Sequence, residues 1–261
     1  MKTLKERYGD WALITGASSG LGEAFARQIA AQGMNLVLLA RRGERLDALG
    51  NELTERHGIQ CRRVTADLNA PEWLPSLAGQ TSDLEIGLLV NNAGFANHGV
   101  FLDNELTSEE RLVNVNCRAA TTLAHHYGQL MRDRKRGAII FSASIVGFTS
   151  VPIWATYAAS KSYGLLLAEA LAVELTTHHI DVMALCPGAT RSEFADYQGF
   201  WARLFVTDAD EVVRSALKNL GRKTVHITGL MNWMTVFAFR FMPRRLVSII
   251  LSAIIRNMVR H

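Results

Sequence analysis

Leu36-Val37-Leu38-Leu39 and Leu88-Leu89-Val90 are unbroken apolar runs set between long amphipathic stretches. A strand that reads this way is covered on both faces, the condition of a parallel sheet. The pattern predicts strands at 11–15, 35–40, 60–66, 86–91, 137–142, 181–185 and 224–228. It predicts helices at 20–32, 44–56, 71–77, 108–132, 154–178 and 208–220. Thr107 followed by Glu110 reads as a capping box, and Asp208 followed by Glu211 as a similar acidic start. Strands joined through helices of this length imply a single-domain, doubly wound (Rossmann-type) α/β fold, a parallel sheet with helices on both faces. No repeat, low-complexity segment or linker divides the 261 residues, and 49% are apolar, enough for one sizeable core.

Other function classes recede on composition. Cys61, Cys117 and Cys186 are far apart and lack any zinc or redox spacing. Free thiols in a reducing compartment are expected, and with them a cytoplasmic location. The start Met1-Lys2-Thr3-Leu4-Lys5-Glu6-Arg7 is charged, and no long apolar run follows, so a secretory signal is not expected. His125-His126 and His178-His179 are adjacent pairs whose side chains diverge on a helix, so no metal site is expected. Of 28 basic and 24 acidic residues, nine basic and no acidic ones follow Glu211, which leaves the first 211 residues at −5. The basic residues of that tail are not interleaved with a nucleic-acid module, so no nucleic-acid partner is expected.

The first predicted strand runs into Thr15-Gly16-Ala17-Ser18-Ser19-Gly20-Leu21-Gly22, which opens the first helix. Glycines let a backbone approach a pyrophosphate, and a helix N-terminus offers free N–H groups and a favourable dipole. A tight strand–helix connection would also use glycines; the position after the first strand of an alternating chain favours a dinucleotide. Where an acidic residue would hold the ribose 2′-hydroxyl of NAD, the chain has Ala40-Arg41-Arg42. Guanidinium groups match a 2′-phosphate, so NADP(H) is expected over NAD(H), against the alternative of a solvated basic loop. Asp67 either accepts from an adenine amino group or caps the next turn. Asn91-Asn92-Ala93-Gly94 suits a backbone passing close to a cofactor, or an ordinary turn.

Tyr157 and Lys161 lie one helical turn apart and share a face. An ammonium beside a phenol favours the phenolate and lowers its pKa from about 10, which makes a usable general acid/base.

Taken together, Thr15-Gly16-x-x-x-Gly20-x-Gly22, Asn91-Asn92-Ala93-Gly94, Asn116, Ser144, Tyr157-x-x-x-Lys161 and Pro187-Gly188 resemble the short-chain dehydrogenase/reductase family over about residues 8–228. The resemblance implies that Tyr157 is the general acid for carbonyl reduction, or the base in reverse. Ser144 would hydrogen-bond the carbonyl oxygen, and Lys161 would hold the nicotinamide ribose. Asn116 would support a water chain returning protons to Lys161, with Asn114 as its rival. Pro187-Gly188 would lie near the nicotinamide, and Ser192 stands where the family often has a carboxamide-binding threonine. The implied cofactor contacts are Gly16, Ser18, Ser19, Gly20, Leu21, Gly22, Arg41, Arg42, Asp67, Asn92, Ala93, Gly94, Tyr157, Lys161, Pro187, Gly188 and Ser192. A catalytically silent dinucleotide-binding sensor or scaffold is the alternative on the same fold.

Phe95, His98, Val146, Val151, Trp154, Phe194, Trp201 and Phe205 are the candidate substrate pocket, unless they simply complete the core or a lid. Their apolar character points to a hydrophobic ketone or alcohol. Residues 1–228 are expected to form the dinucleotide-binding and catalytic domain, and 229–261 an apolar, basic C-terminal helical extension. Its two apolar runs are each near ten residues, short of the roughly 20 that span a bilayer. The extension either packs on the pocket or a partner subunit of a homodimer or homotetramer, or lies in a membrane interface as a peripheral contact.

Overall fold

The computed structural model describes residues 2–191 and 206–259. Its strands are β1 Trp11–Thr15, β2 Asn35–Ala40, β3 Cys61–Thr65, β4 Ile86–Asn91, β5 Gly137–Ser142, β6 Ile180–Cys186, β7 Thr190–Arg191, β8 Thr207–Asp208 and β9 Val225–Ile227. Its α-helices are α1 Leu4–Tyr8, α2 Gly20–Ala30, α3 Gly43–His57, α4 Trp73–Thr81, α5 Leu106–Val113, α6 Ala120–Arg134, α7 Ala155–Glu174, α8 Ala209–Asn219, α9 Leu230–Phe239 and α10 Arg244–Val259. Seven strands form one parallel sheet in the order β3-β2-β1-β4-β5-β6-β9. β7 and β8 pair separately, on either side of residues 192–205.

Both faces of the sheet are buried, and the alternation along each strand shows why its run is apolar throughout. Ala12 and Ile14 of β1 join one layer and Leu13 the other; Leu36 and Leu38 of β2 join the first, Val37 and Leu39 the second. Phe25 and Ile29 of α2, Leu46 and Leu53 of α3, and Val212 and Val213 of α8 cover the first layer. Leu77 of α4, Leu123 and Tyr127 of α6, and Leu165 of α7 cover the second. Each large side chain withdrawn from water stabilises the sheet by about 1.5–3 kcal/mol, so neither face of β1 or β2 tolerates a charge.

Two local expectations are corrected. The helix predicted at 108–132 is two helices, α5 and α6, separated by a π-turn over Asn114–Ala119. The Thr107–Glu110 capping box does not form. α5 begins at Leu106, after the extended Glu105, whose carbonyl oxygen accepts from Ser108 N and Glu109 N at 3.0 and 3.2 Å. The phase is set by Glu109, which turns inward to the Asn97 and Asn104 amides and is buried. Asp208 does cap α8, accepting from Asp210 N at 3.1 Å.

After β9 the chain turns through Gly229 and doubles back over the carboxyl end of the sheet. The inner face of α9 carries the buried Val236. Asn232, also on α9, lies against Gly188, where an added Cβ would come 2.5 Å from the amide nitrogen. Ser248 of α10 meets Ser150 at 2.5 Å, and Leu251 packs with Val151 and Ala158. The extension therefore closes against the segment that precedes α7.

Candidate active site

The strand order reverses between β1 and β4, and in such sheets ligands bind beyond the strand carboxyl ends at that crossing. Most of the candidate residues follow a carboxyl end of the sheet: the glycine turn after β1, Arg42 after β2, Asp67 after β3, Asn92–Gly94 after β4, Ser144 after β5 and Pro187-Gly188 after β6.

The turn after β1 is shaped for close approach. Gly16 and Gly20 have φ of 66° and 57°, which most side chains resist. Gly22 faces the turn so closely that a Cβ there would lie 2.1 Å from the Gly16 carbonyl oxygen. The Thr15 hydroxyl accepts from Asn92 N and Ala93 N, both at 2.9 Å, and the Asn92 amide donates to Thr15 O at 3.0 Å. This locks the ends of β1 and β4 together. The packed glycines, with the N-terminus of α2 behind them, fit a pyrophosphate.

Arg42, at the start of α3, folds onto the same turn. Its guanidinium donates to Ser18 Oγ at 3.1 Å and Ser19 Oγ at 2.8 Å. Arg41 beside it is exposed. Asp67 is engaged at both oxygens: one accepts from Asn69 N at 3.0 Å, and the other pairs with Arg111 at 2.9 Å. The turn-capping role is thus present, and an adenine contact would share the carboxylate.

Asn116 and Asn114 separate clearly. Asn116 is buried in the π-turn, with its amide donating to Phe95 O and Ser160 Oγ, both at 3.0 Å, and its carbonyl accepting from Phe95 N at 3.1 Å. Asn114 instead donates to Asn69 at 3.0 Å. Ser160, which no motif of the sequence marks as functional, donates to Tyr157 O at 2.7 Å and so ties Asn116 to the tyrosine's turn. Its only sequence signal is a hydroxyl inside the Tyr-x-x-x-Lys turn.

Tyr157 is 8% exposed and Lys161 partly buried on the same face of α7. The lysine nitrogen lies 5.6 Å from the phenol ring centre and donates to Ser142 O at 2.6 Å. Burial pushes the Lys161 ammonium down to about 8. Ser142 in turn donates to Asn92 Oδ1 at 3.1 Å, so the lysine and the glycine turn share one hydrogen-bond chain. Ser144 is buried; its hydroxyl donates to Pro187 O at 3.4 Å and accepts from Val146 N at 3.3 Å. Gly147 lets this turn sit on α7, since a Cβ there would lie 2.9 Å from the Lys161 carbonyl.

Beside the tyrosine, Trp154 packs edge-on at 6.2 Å, and His98 tilts against Trp154 at 5.3 Å. Val146, Ile153 and Trp154 pack on Val151 and Ala158. Phe95 is held through its backbone by Asn116. Ile153 has φ of 63°, a strained conformation for a β-branched residue, and its carbonyl accepts from Gly99 N at 3.1 Å. Ser192, Phe194, Trp201 and Phe205 lie outside the described residues.

The family model for short chain dehydrogenase matches residues 10–201. A 7beta-hydroxysteroid dehydrogenase of Clostridium sardiniense is 31% identical over 234 residues, 87% of this chain and 88% of that protein. A solved structure from a study of 7beta-hydroxysteroid dehydrogenase stereoselectivity aligns with a TM-score of 0.87 at 31% identity, over 92% of this chain and 95% of that one. A short-chain dehydrogenase from Sphingobium yanoikuyae, solved in complex with NADPH, aligns with a TM-score of 0.80 at 36% identity, over 88% of this chain and 93% of that one. The chain belongs to the short-chain dehydrogenase/reductase family, the NAD(P)-dependent oxidoreductases of alcohols and carbonyl compounds.

Proposed function

We propose that this protein reduces a bulky hydrophobic ketone with NADPH, or oxidises the corresponding alcohol in reverse. The observation that carries the reading is the meeting of Tyr157, Lys161 and Ser144 beside the glycine turn on which Arg42 rests. When bound, the nicotinamide supplies or accepts the hydride. Tyr157 gives its hydroxyl proton to the developing alkoxide, and Ser144 donates a hydrogen bond to the same oxygen. Lys161 holds the ribose hydroxyls and favours ionisation of the phenol. Asn116 positions Phe95 and the Tyr157 turn and supports the return of protons to Lys161.

Arg42, with Arg41 exposed next to it, supports a 2′-phosphate and hence NADPH. The surroundings of Tyr157, with Trp154, His98, Val146 and Val151, support a bulky apolar substrate. The similarity to a 7beta-hydroxysteroid dehydrogenase supports the same size class. Residues 1–228 form the dinucleotide-binding and catalytic unit in this reading, with 229–261 as an extension over its substrate side. Tyr163, Leu166 and Val173 leave apolar surface exposed along α7, which supports a homodimer or homotetramer. The free thiols Cys61, Cys117 and Cys186 support a cytoplasmic site of action.

A screen of bulky ketones and steroid-like alcohols, followed by NADPH absorbance, tests the reading. Turnover of an apolar ketone with NADPH is expected. Tight NADPH binding with no turnover of any carbonyl compound would instead favour the sensor alternative.

A further inference from the structure

The outer face of the C-terminal extension is apolar, aromatic and cationic at once. Trp233 and Phe237 are four residues apart on one side of α9, and Phe241 follows two residues beyond its end. Their rings form a ladder, stacked at 5.2 Å and then edge-on at 5.1 Å. Phe241 is 74% exposed and Leu230 72% exposed. On α10 the large apolar residues Leu246, Ile249 and Ile250 are exposed, again on one side, while Val247 and Leu251 turn inward. Burial of Val236 on α9 and Val247 on α10 fixes the orientation of both helices, so the outer face is not a frayed end of the core.

Exposed Arg240, Arg244 and Arg245 lie between the two apolar stretches. The sequence has no acidic residue after Glu211 to offset them. A partner for this face must therefore accept apolar side chains and bring negative charge. A second copy docked through the same face would set arginine against arginine, since a two-fold contact uses one patch twice. An anionic lipid surface meets both demands: its acyl boundary takes the aromatic ladder and its head groups take the guanidinium groups. Among the described residues no helix is long and apolar enough to cross a membrane, so the contact is parallel to the surface.

We propose that α9 and α10 dock this protein on anionic bilayers as a monotopic surface, with Trp233, Phe237, Phe241, Leu246 and Ile249 in the interface. α10 also packs beside Val151 and Ala158, so docking turns the substrate side of the site toward the lipid. The inference stands on the surface itself and does not depend on which ketone is reduced.

The full chain is sedimented with vesicles of phosphatidylglycerol and phosphatidylcholine in equal parts, and with phosphatidylcholine alone. At low salt the mixed vesicles carry the protein down, with at least about tenfold weaker binding to the neutral ones, and roughly 0.5 M salt weakens the first markedly. Trp233 emission, taken as the difference between the wild type and Trp233→Phe, shifts to the blue on mixed vesicles. Both F237S/F241S and R240Q/R244Q/R245Q lose most of the binding, while their NADPH oxidation in solution without vesicles is unchanged. Three results overturn the proposal. The first is failure of the full chain to bind mixed vesicles at low salt. The second is binding with no change in Trp233 emission. The third is a smaller oligomer for F237S/F241S by light scattering, which makes the face a subunit contact. The first two use a native fold or one conservative change, so they hold even if the multiple variants misfold.

Discussion

The Lys161 ammonium sits 5.6 Å from the centre of the Tyr157 ring while its nitrogen donates to Ser142 O at 2.6 Å. The carbonyl fixes the ammonium on one side, so its field acts on the phenol from a set direction. In the proposed mechanism Tyr157→Phe keeps the ring and its packing on Trp154 but removes the transferable proton. Turnover should fall by roughly 10²–10⁴-fold, the usual worth of general acid catalysis. The NADPH dissociation constant, measured by fluorescence titration, should stay within a few-fold of the wild type. Retention of a tenth of the turnover would remove Tyr157 from the proton-donor role.

The same lysine sets a pH dependence. Burial pushes Lys161 down to about 8, so it is charged below that pH and neutral above it. kcat/KM for reduction should hold below about 8 and decline above it as the phenol loses the ammonium that makes it a better acid. Stability moves the other way. The ordinary lysine value is 10.5, so between about 8 and 10.5 the unfolded chain binds more protons, and this group's contribution to stability rises with pH. A kcat/KM profile for the wild type and Lys161→Met checks the first point. An alkaline limb near 8 that persists unchanged in the variant would assign it to another group.

Arg42 reaches Ser18 and Ser19 at 3.1 and 2.8 Å, short bonds that a 2′-phosphate would join or replace. Replacing Arg41 and Arg42 with alanine should weaken NADPH binding by about 1–3 kcal/mol and leave NADH nearly unchanged. Equal losses for both nucleotides, read by calorimetric titration, would mean that the arginines act through the fold of the glycine turn.

The parallel sheet was legible because burial on both faces leaves no polar position in runs such as Leu36–Leu39. The glycine turn was legible because only glycine fits where a Cβ would strike the Gly16 carbonyl. Contacts between distant segments left no local mark. Nothing near Asn114 breaks a helix, since the π-turn there places Asn116 against Phe95 and Ser160, partners that only the fold brings together. The positive φ of Ile153 was equally hidden, because a β-branched residue is a poor candidate for that conformation and is held in it by Gly99. Thr107 misled for a related reason: the inward pull on Glu109 sets where α5 begins.

Glu109 also carries the last prediction. The residue is only 6% exposed, and its carboxylate accepts from the Asn97 amide at 3.1 Å and the Asn104 amide at 2.8 Å. Burial pushes its pKa up, but hydrogen bonds from Thr156, Asn104 and Asn97 together outweigh that and hold it below the ordinary value of 4.5. These bonds join the segment carrying His98 and Gly99 to the residue that precedes Tyr157, so one carboxylate ties the loop to the start of α7. A depressed carboxylate contributes stability above its unfolded value, and that contribution is lost as pH falls through the lower folded value. Glu109→Ala should therefore cost about 1–3 kcal/mol at neutral pH by leaving the half-buried Asn97 and Asn104 amides unpaired. The deficit should shrink as the pH is taken down through and below 4.5, where the wild type loses the same contribution. Urea unfolding of both proteins across that range measures the difference. A deficit independent of pH would mean that Glu109 acts through packing alone. In that case the loop would be held chiefly by the bond from Gly99 N to Ile153 O, and Glu109→Gln should then be indistinguishable from the wild type at every pH.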